Sequence, residues 1–256
     1  MRRAVRLLAI SALTAVICIG GYRVWEISGQ YTDEKEVRSE MLKYRLLMEE
    51  PKPQEPQAPA VYTGGSGDVE YPPEEPRYNQ SVIDMQNQIN RDIAGWLTIP
   101  DTRIDYPFAA PSDNEYYLRR DIHGNKASAG SLFMDFRCAD DFSGLNTIIY
   151  GHNMKNKSMF GDLSLFAEQG FFEENTSGTI FLADQTLTLD IFAYMVIRDD
   201  DGIIYGLTAE RDEFMSYVRA SARSFREPKT LGNIVTLSTC SYQSDQARAV
   251  LLAMAA

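Results

Sequence analysis

The sequence predicts a mainly β domain, either a closed barrel or a sandwich, that follows a long N-terminal extension. From about residue 93 onwards, short runs of β-branched and aromatic residues alternate with turn signals rich in Gly, Pro and Asp. Seven of the eleven prolines fall in residues 51–76, where the composition cannot bury a core. The length of 256 residues, of which 44% are hydrophobic, suits one globular domain with appendages.

The first 27 residues are predicted to anchor the chain in a membrane. Arg2, Arg3 and Arg6 precede an uncharged run over residues 7–22, whose length falls between that of a signal-peptide core and a spanning helix. Cations before the run and acidic residues after it orient the N-terminus towards the cytoplasm. A cleaved signal peptide is the alternative, although no clear Ala-x-Ala site follows. We expect a single-pass protein with an extracellular domain.

Residues 28–77 are predicted to connect this anchor to the domain. Val37, Met41, Tyr44 and Met48 recur at three- and four-residue steps, which predicts a helix over residues 28–50. This helix could be a coiled-coil stalk, a rigid spacer or a helix packed on the domain. The Pro- and Gly-rich residues 51–76 follow as a tether, and the domain spans residues 78–256.

The domain is predicted to begin with a short helix. Val82, Met85, Ile89 and Ile93 are spaced for one helix face. Apolar runs between turn signals then predict strands at residues 95–99, 104–108, 131–136, 147–152, 179–182, 187–197, 233–241 and 247–255.

One further helix is predicted between the last strands. Thr208 can cap its start, and Phe214, Tyr217, Val218 and Phe225 form an apolar stripe at helical spacing. Such a stripe is typical of core packing.

Three reactive side chains lie at predicted strand ends. Cys240 follows the apolar run 233–237, His152 ends the run 147–152, and Arg248 lies near the start of the run 247–255. A thiol becomes a strong nucleophile as a thiolate, which an imidazole or a neighbouring cation favours. The three residues together suit acyl transfer, as nucleophile, proton donor and stabiliser of substrate or oxyanion. The alternative is that Cys240 is a small core hydrophobe.

These residues lie in motifs that resemble the class B sortases. The motifs are Tyr150-Gly151-His152-Asn153-Met154, Ser158-Met159-Phe160-Gly161-Asp162-Leu163, and Thr236-Leu237-Ser238-Thr239-Cys240 with Arg248. The resemblance covers about residues 80–256 and implies a closed β-barrel of about eight strands, with an N-terminal helix and a helix before the Cys strand. It implies that Cys240 is the nucleophile, His152 the general acid and base, and Arg248 the oxyanion or substrate stabiliser.

The resemblance also implies the reaction and its partners. A class B sortase cleaves secreted proteins after the Thr of a C-terminal sorting motif, of Asn-Pro-Gln-Thr-Asn or Pro-x-Thr-Gly type. It then transfers the acyl group from a thioester to an amine of a lipid II-type cell-wall precursor, or to a pilin lysine in a pilin-polymerising member. Ser238 and Thr239 are implied to border the peptide pocket, and residues 203–205 or the following helix to form its wall.

Other functions fit the sequence less well. An L,D-transpeptidase places Ser and Gly before its Cys and Arg after it, whereas Ser238 and Thr239 precede Cys240 here and Ser241 follows. A hydrolytic Cys protease and a non-catalytic, membrane-tethered peptide-binding barrel are the remaining alternatives. The net charge of −11 argues against nucleic acid as a partner.

No cofactor or metal is expected. The acidic runs at residues 140–141 and 199–201 lack the alternating spacing of a calcium loop. Cys138 is expected to be a free thiol, because a disulfide with Cys240 would consume the nucleophile. His123 lies in a polar stretch and is expected to be a solvated loop residue.

Overall fold

The computed structural model describes residues 2–48, 79–240 and 246–256. The Pro-rich tether predicted at residues 51–76 lies outside these ranges. The α-helices in the described residues are α1 (Arg2–Arg45), α2 (Gln80–Gln88), α3 (Gln169–Glu174) and α4 (Arg211–Ser221). The strands are β1 (Ile93–Thr98), β2 (Asp105–Ala109), β3 (Leu132–Met134), β4 (Asn146–His152), β5 (Ser177–Leu182), β6 (Thr186–Arg198), β7 (Ser224–Phe225), β8 (Asn233–Cys240) and β9 (Ala247–Ala255).

The strands form one sheet that closes on itself. Their order is β5-β1-β2-β3-β4-β8-β9-β6-β7, and β5 also pairs with β6. This extra pairing closes eight strands into a barrel and leaves the two-residue β7 attached to β6, so the predicted closed barrel of about eight strands is confirmed. The pairs β2–β3 and β4–β8 are parallel. In the second of these, the carboxyl ends of both strands lie at the same end of the barrel.

The barrel strands are covered on both faces, which explains why they are so apolar. The barrel interior contains a buried cluster that includes Leu97, Phe108 and Leu237. A second cluster, which includes Trp96, packs under α1 and α2. A third cluster packs under α4 and includes Phe214. Trp96 and Leu97 are adjacent in β1 and therefore point to opposite faces of the sheet. Both are buried, because a different apolar cluster covers each face.

The helix before the Cys strand is confirmed, but its limits differ from the prediction. Its N-cap residue is Glu210 rather than Thr208, and its side chain makes no capping hydrogen bond. Phe214 and Val218 are buried as predicted. Phe225 does not belong to the helix, because it lies in β7 and pairs with Ala193 of β6. Backbone hydrogen bonds to a neighbouring strand replace those that another helical turn would supply.

The N-terminal segment forms the long helix α1. Among the described residues, no helix is both long enough and apolar enough to cross a membrane, so the anchor predicted over residues 1–27 finds no support in the structure. The later part of α1 packs on the domain, since Met41 is buried in one cluster with Val82, Met85 and Trp96. Of the three interpretations of residues 28–50, the structure shows the packed helix.

Candidate active site

Three strands bring the three predicted catalytic residues to one end of the barrel. His152 and Cys240 are the last residues of β4 and β8, and they are partners in the parallel register of these strands. The antiparallel pairing of β8 with β9 runs as far as Ser238 opposite Val250. Cys240 lies two residues beyond this last pair on β8, and Arg248 lies two residues before Val250 on β9. The strand order therefore assembles the backbone frame of the site.

His152 is buried and held through one ring nitrogen. It is 3% exposed, and its Nε2 lies 2.6 Å from the carbonyl oxygen of Leu118. A carbonyl can only accept, so Nε2 carries the proton and Nδ1 is the basic nitrogen of the neutral ring. Burial lowers the pKa of His152 to about 4; the Leu118 hydrogen bond opposes this shift, and the charge of Arg119 adds to it. The ring is therefore neutral at pH 7.

The Leu118 carbonyl owes its position to a glycine. Leu118 lies in a short 3-10 helix over Tyr116–Arg119, and the backbone of Gly130 passes directly beneath it at a φ of +59°. A Cβ at Gly130 would lie 2.5 Å from the Tyr117 oxygen and 2.8 Å from the Leu118 oxygen. Glycine is required here for both the close approach and the positive φ. Sequence reasoning missed Leu118, because a backbone acceptor leaves no side-chain signal.

The turn after His152 is closed onto the strand end. The N–H of Phe160 donates to the His152 carbonyl at 2.9 Å, and Asn153 forms an isolated β-bridge with Met159. A Cβ at Gly151 would lie 2.7 Å from the ring of Phe160. The two motifs at residues 150–154 and 158–163 thus form one turn that fixes the backbone of His152.

Arg248 is held through one nitrogen of its guanidinium. Its Nη2 donates to Asp199 at 3.0 Å, and the side chain is 17% exposed. Its Nη1 is buried and makes no hydrogen bond within the part of the chain that the structure describes. A planar guanidinium fixed by one carboxylate retains donors for a second acceptor. This arrangement suits the binding of a substrate carbonyl or an oxyanion.

The two residues before Cys240 have different surroundings. The hydroxyl of Ser238 lies 2.8 Å from that of Tyr205, and Ser238 is completely buried in β8. Thr239 lies on the opposite face of the strand, where its hydroxyl accepts a hydrogen bond from the N–H of Ala249 at 3.0 Å.

The buried carboxylate of Asp135 fixes Tyr150 and, through Arg137, the segment around Tyr205. Asp135 accepts two hydrogen bonds from the Arg137 guanidinium, at 2.8 and 2.6 Å, and one from the Tyr150 hydroxyl at 3.0 Å. Burial alone would raise the pKa of Asp135, but these hydrogen bonds outweigh it and hold the pKa below its usual range. Arg137 also donates to the Tyr205 carbonyl at 3.1 Å. The ring of Tyr205 stacks on that of Tyr150, with 6.4 Å between centroids.

The sequence did not single out Asp135 or Arg137. The available signal was an acidic residue at the end of an apolar strand, followed two residues later by a cation. The acidic run at 199–201, by contrast, is used locally: Asp199 binds Arg248, Asp200 binds Arg198, and Asp201 accepts from the N–H groups of residues 203 and 204.

Two further residues were assigned roles from the sequence. Cys138 is free, as predicted; burial raises the pKa of its half-buried thiol. His123 is not simply a solvated loop residue, because its Nε2 lies 3.4 Å from a carboxylate oxygen of Glu40 in α1.

Comparison with known proteins connects this site to one family. The chain is 35% identical over 193 residues to sortase B of Listeria monocytogenes, which covers 73% of this chain and 77% of that protein. No protein-family model matches the chain.

Solved structures agree with this similarity. A class B sortase of Streptococcus pyogenes involved in pilus biogenesis has a TM-score of 0.63 at 28% identity and covers 68% of this chain and 97% of its own. A Staphylococcus aureus sortase B–substrate complex has a TM-score of 0.65 at 25% identity and covers 70% of this chain and 86% of its own.

Proposed function

Because the chain belongs to the class B sortase family, we propose that it is a cysteine transpeptidase that acts on proteins bearing a C-terminal sorting signal. The observation that carries this proposal is the register of β4 with β8, which pairs His152 with Cys240. The antiparallel pairing of β8 with β9 supports it, because Cys240 ends the first strand and Arg248 lies near the start of the second. A thiol, an imidazole and a guanidinium at one end of the barrel match the requirements of acyl transfer.

In the first half-reaction, the sulfur of Cys240 attacks the carbonyl carbon of the Thr in the sorting motif. Since His152 is neutral at pH 7, the thiol proton moves to its basic nitrogen Nδ1 as the attack proceeds. Arg248 and a backbone N–H near Cys240 stabilise the tetrahedral oxyanion. His152 then gives its proton to the departing amine, the C–N bond breaks, and the acyl group remains on Cys240 as a thioester.

In the second half-reaction, an acceptor amine attacks the thioester. His152 accepts the proton that the amine loses, the C–S bond breaks, and the thiol of Cys240 is regenerated with that proton. The same oxyanion site serves both halves, so the kinetics are ping-pong. A neutral thiol–imidazole pair holds little thiolate at rest, and slow turnover follows.

The peptide is proposed to lie beside the side chains of Ser238 and Tyr205, with the backbone of Thr239 bordering it. The S. aureus relative is known as a substrate complex, which supports a peptide groove on this fold. The acceptor is proposed to be an amine of a lipid II-type wall precursor. A pilin lysine is the second candidate, because one structural relative is involved in pilus biogenesis.

The enzyme is proposed to act at the cell surface. Its similarity to sortase B supports this location. The orientation, with a cytoplasmic N-terminus and residues 78–256 outside, rests on Arg2, Arg3 and Arg6 ahead of the uncharged residues 7–22. Protease added to intact cells should remove the domain; a domain degraded only after lysis would contradict this orientation.

Ligation of defined peptides tests the function. The full chain is incubated with sorting-motif peptides and, in separate reactions, with a wall-type amine or a pilin-type lysine peptide. Mass spectrometry of the products should show ligation to one acceptor, and Cys240→Ala should show none. Hydrolysis without ligation for every acceptor would indicate a Cys protease instead. Peptide binding that is unchanged by Cys240→Ala, with no product, would indicate a non-catalytic barrel.

A further inference from the structure

The later part of α1 reaches the turn after His152 through one buried tyrosine. Glu34, which is 9% exposed, accepts a hydrogen bond from the Tyr106 hydroxyl at 3.2 Å. The same hydroxyl accepts one from the N–H of Met159 at 3.3 Å. Burial, followed by the charge of Glu34, raises the pKa of Tyr106. The hydroxyl therefore keeps its proton and serves both partners at once.

Met159 belongs to the turn that holds the backbone of His152. It has a φ of +53°, forms a β-bridge with Asn153, and directly precedes Phe160, whose N–H donates to the His152 carbonyl. A non-glycine residue is strained at positive φ and keeps that conformation only where its surroundings impose it. The hydrogen bond to the Tyr106 hydroxyl is one of the contacts that impose it.

A second line of contacts runs in parallel from Arg38, one helical turn further along α1. Its Nη2 donates to the carbonyl of Arg103 at 3.3 Å, and its guanidinium lies 4.9 Å from the centre of the Tyr106 ring. The N–H of Arg103 donates to Asp162 at 2.9 Å, and the Arg103 guanidinium donates to the carbonyl of Asn156. Two residues of α1 thus converge on residues 153–162.

A pocket of about 240 Å³ opens between α1 and the domain beside these contacts, and its lining includes Glu34, Arg38, Tyr106 and Met159. The apolar packing of α1 on the domain continues further along the helix at Met41. Beside the pocket, the hydrogen bonds of Glu34 and Arg38 link α1 to the turn through Tyr106 and Arg103.

We propose that α1 is a positioning element for the active site: Glu34, acting through the Tyr106 hydroxyl, fixes Met159 and with it the turn that holds His152. The role in catalysis rests on the proposed function, since it assumes that His152 transfers the proton. Neither Glu34 nor Tyr106 touches the reacting atoms. Their effect is to keep His152 buried and oriented, and misplacement of a catalytic group slows the chemical step more than it weakens substrate binding.

The experiment compares variants of the full chain, purified in detergent. Tyr106→Phe removes only the hydroxyl, and Glu34→Ala removes its partner. Glu34→Gln retains an oxygen that can accept from Tyr106 and should rescue. Glu36→Ala is the matched control, because Glu36 is an exposed residue of the same helix. The rate of thioester formation and its KM are measured for each variant, and NMR gives the pKa of His152.

The NMR measurement is independent of activity. The chain has two histidines, and His152→Gln assigns their signals. In Tyr106→Phe and Glu34→Ala, kcat should fall about tenfold with KM little changed. The pKa of His152 should rise from about 4 by about one unit as water reaches the ring. The charge of Arg119 is common to all variants. The double variant should resemble either single variant, because both break one line of contacts.

The outcomes separate this inference from the proposed function. A shifted pKa of His152 in a protein that forms no thioester would leave the positioning role standing and remove the proposed reaction. The positioning role would be overturned if Tyr106→Phe and Glu34→Ala, like Glu36→Ala, formed the thioester at the wild-type rate and kept the wild-type pKa of His152.

Discussion

His152 and Cys240 are register partners across the parallel pairing of β4 with β8, although the chain between them forms β5, β6, β7, two α-helices and a 3-10 helix. A parallel pair needs a long crossover, and this crossover also supplies Asp199 and Tyr205. Asp199 binds Arg248, and Tyr205 contacts Ser238. The connection that makes the pairing possible therefore also builds the wall of the site.

The buried imidazole should make stability depend on pH. The pKa of His152 falls from 6.5 to about 4 on folding, so between these values the unfolded chain binds a proton that the folded protein does not. Stability should therefore fall as the pH decreases through this window, by about 2 kcal/mol between pH 7.5 and pH 5 from this group. Urea unfolding of His152→Gln, whose amide can still donate to Leu118, should lack this component.

His123→Gln is the control for that measurement. His123 lies on the surface next to Glu40, and its replacement should leave most of the pH dependence in place. Equal pH dependence in wild type and His152→Gln would show that His152 is not held neutral by the fold.

The guanidinium of Arg248 should not be replaceable by an ammonium. Lysine cannot keep the contact to Asp199 and also present a second donor in a fixed plane. Arg248→Lys should therefore slow thioester formation about a hundredfold, the scale of losing an oxyanion donor. Asp199→Asn retains an acceptor for Nη2 and should cost much less. Single-turnover rates near wild type for Arg248→Lys would contradict the stabilising role.

Burial should distinguish two otherwise similar ion pairs. Arg137 binds Asp135 and Arg198 binds Asp200, each bidentately and two residues apart. The side chain of Asp135 is 0% exposed, whereas that of Asp200 is 66% exposed. Arg137→Met should leave a buried, unpaired carboxylate and cost about 2 kcal/mol, less than for a fully buried pair because Arg137 is 42% exposed.

Arg198→Met is the matched control and should change stability little, because surface pairs contribute little. The loss in Arg137→Met should be largest at neutral pH. It should shrink in acid as Asp135 becomes protonated, since the pKa of Asp135 is depressed in the wild type. Unfolding free energies measured at neutral and at acidic pH check this prediction. Equal losses of stability in Arg137→Met and Arg198→Met would contradict it.

Gly130→Ala should disturb the histidine through its backbone acceptor. The added Cβ would meet the oxygens of Tyr117 and Leu118 at 2.5 and 2.8 Å, and its φ of +59° is strained for alanine. We expect a loss of about 1–3 kcal/mol in stability and slower thioester formation. Gly144→Ala, where a Cβ meets nothing within 4 Å, should leave both unchanged. The account would be wrong if the two variants behaved alike.

Much of the fold was predictable because buried strands appear in the sequence as short runs of apolar residues. The apolar runs before His152 and Cys240 predicted strands over residues 147–152 and 233–241, and the observed β4 and β8 end at His152 and Cys240. The limits of β9 are those predicted. Thr208 was misleading as a helix start, because a capping residue type favours a cap but tertiary contacts decide where the helix begins.

The contacts that hold His152 and the turn after it were not predictable in the same way. The acceptor for His152 is a backbone oxygen of Leu118, and its position depends on Gly130, which approaches only in the folded chain. The hydrogen bond of Tyr106 with Glu34 joins β2 to α1 across 72 residues of the sequence. Hydrophobic periodicity in a sequence indicates which side of a helix or strand is buried. The contacts of His152 and Tyr106 depend instead on how separate helices and strands pack together.

Intact-mass measurement of the full chain after incubation with each sorting-motif peptide tests whether Cys240 forms a thioester. We expect a mass gain equal to the acyl half of one peptide, located on Cys240, removed by hydroxylamine and absent in Cys240→Ala. An adduct that persists in Cys240→Ala, or no adduct with any sorting peptide while the thiol of a folded protein is free, would contradict it.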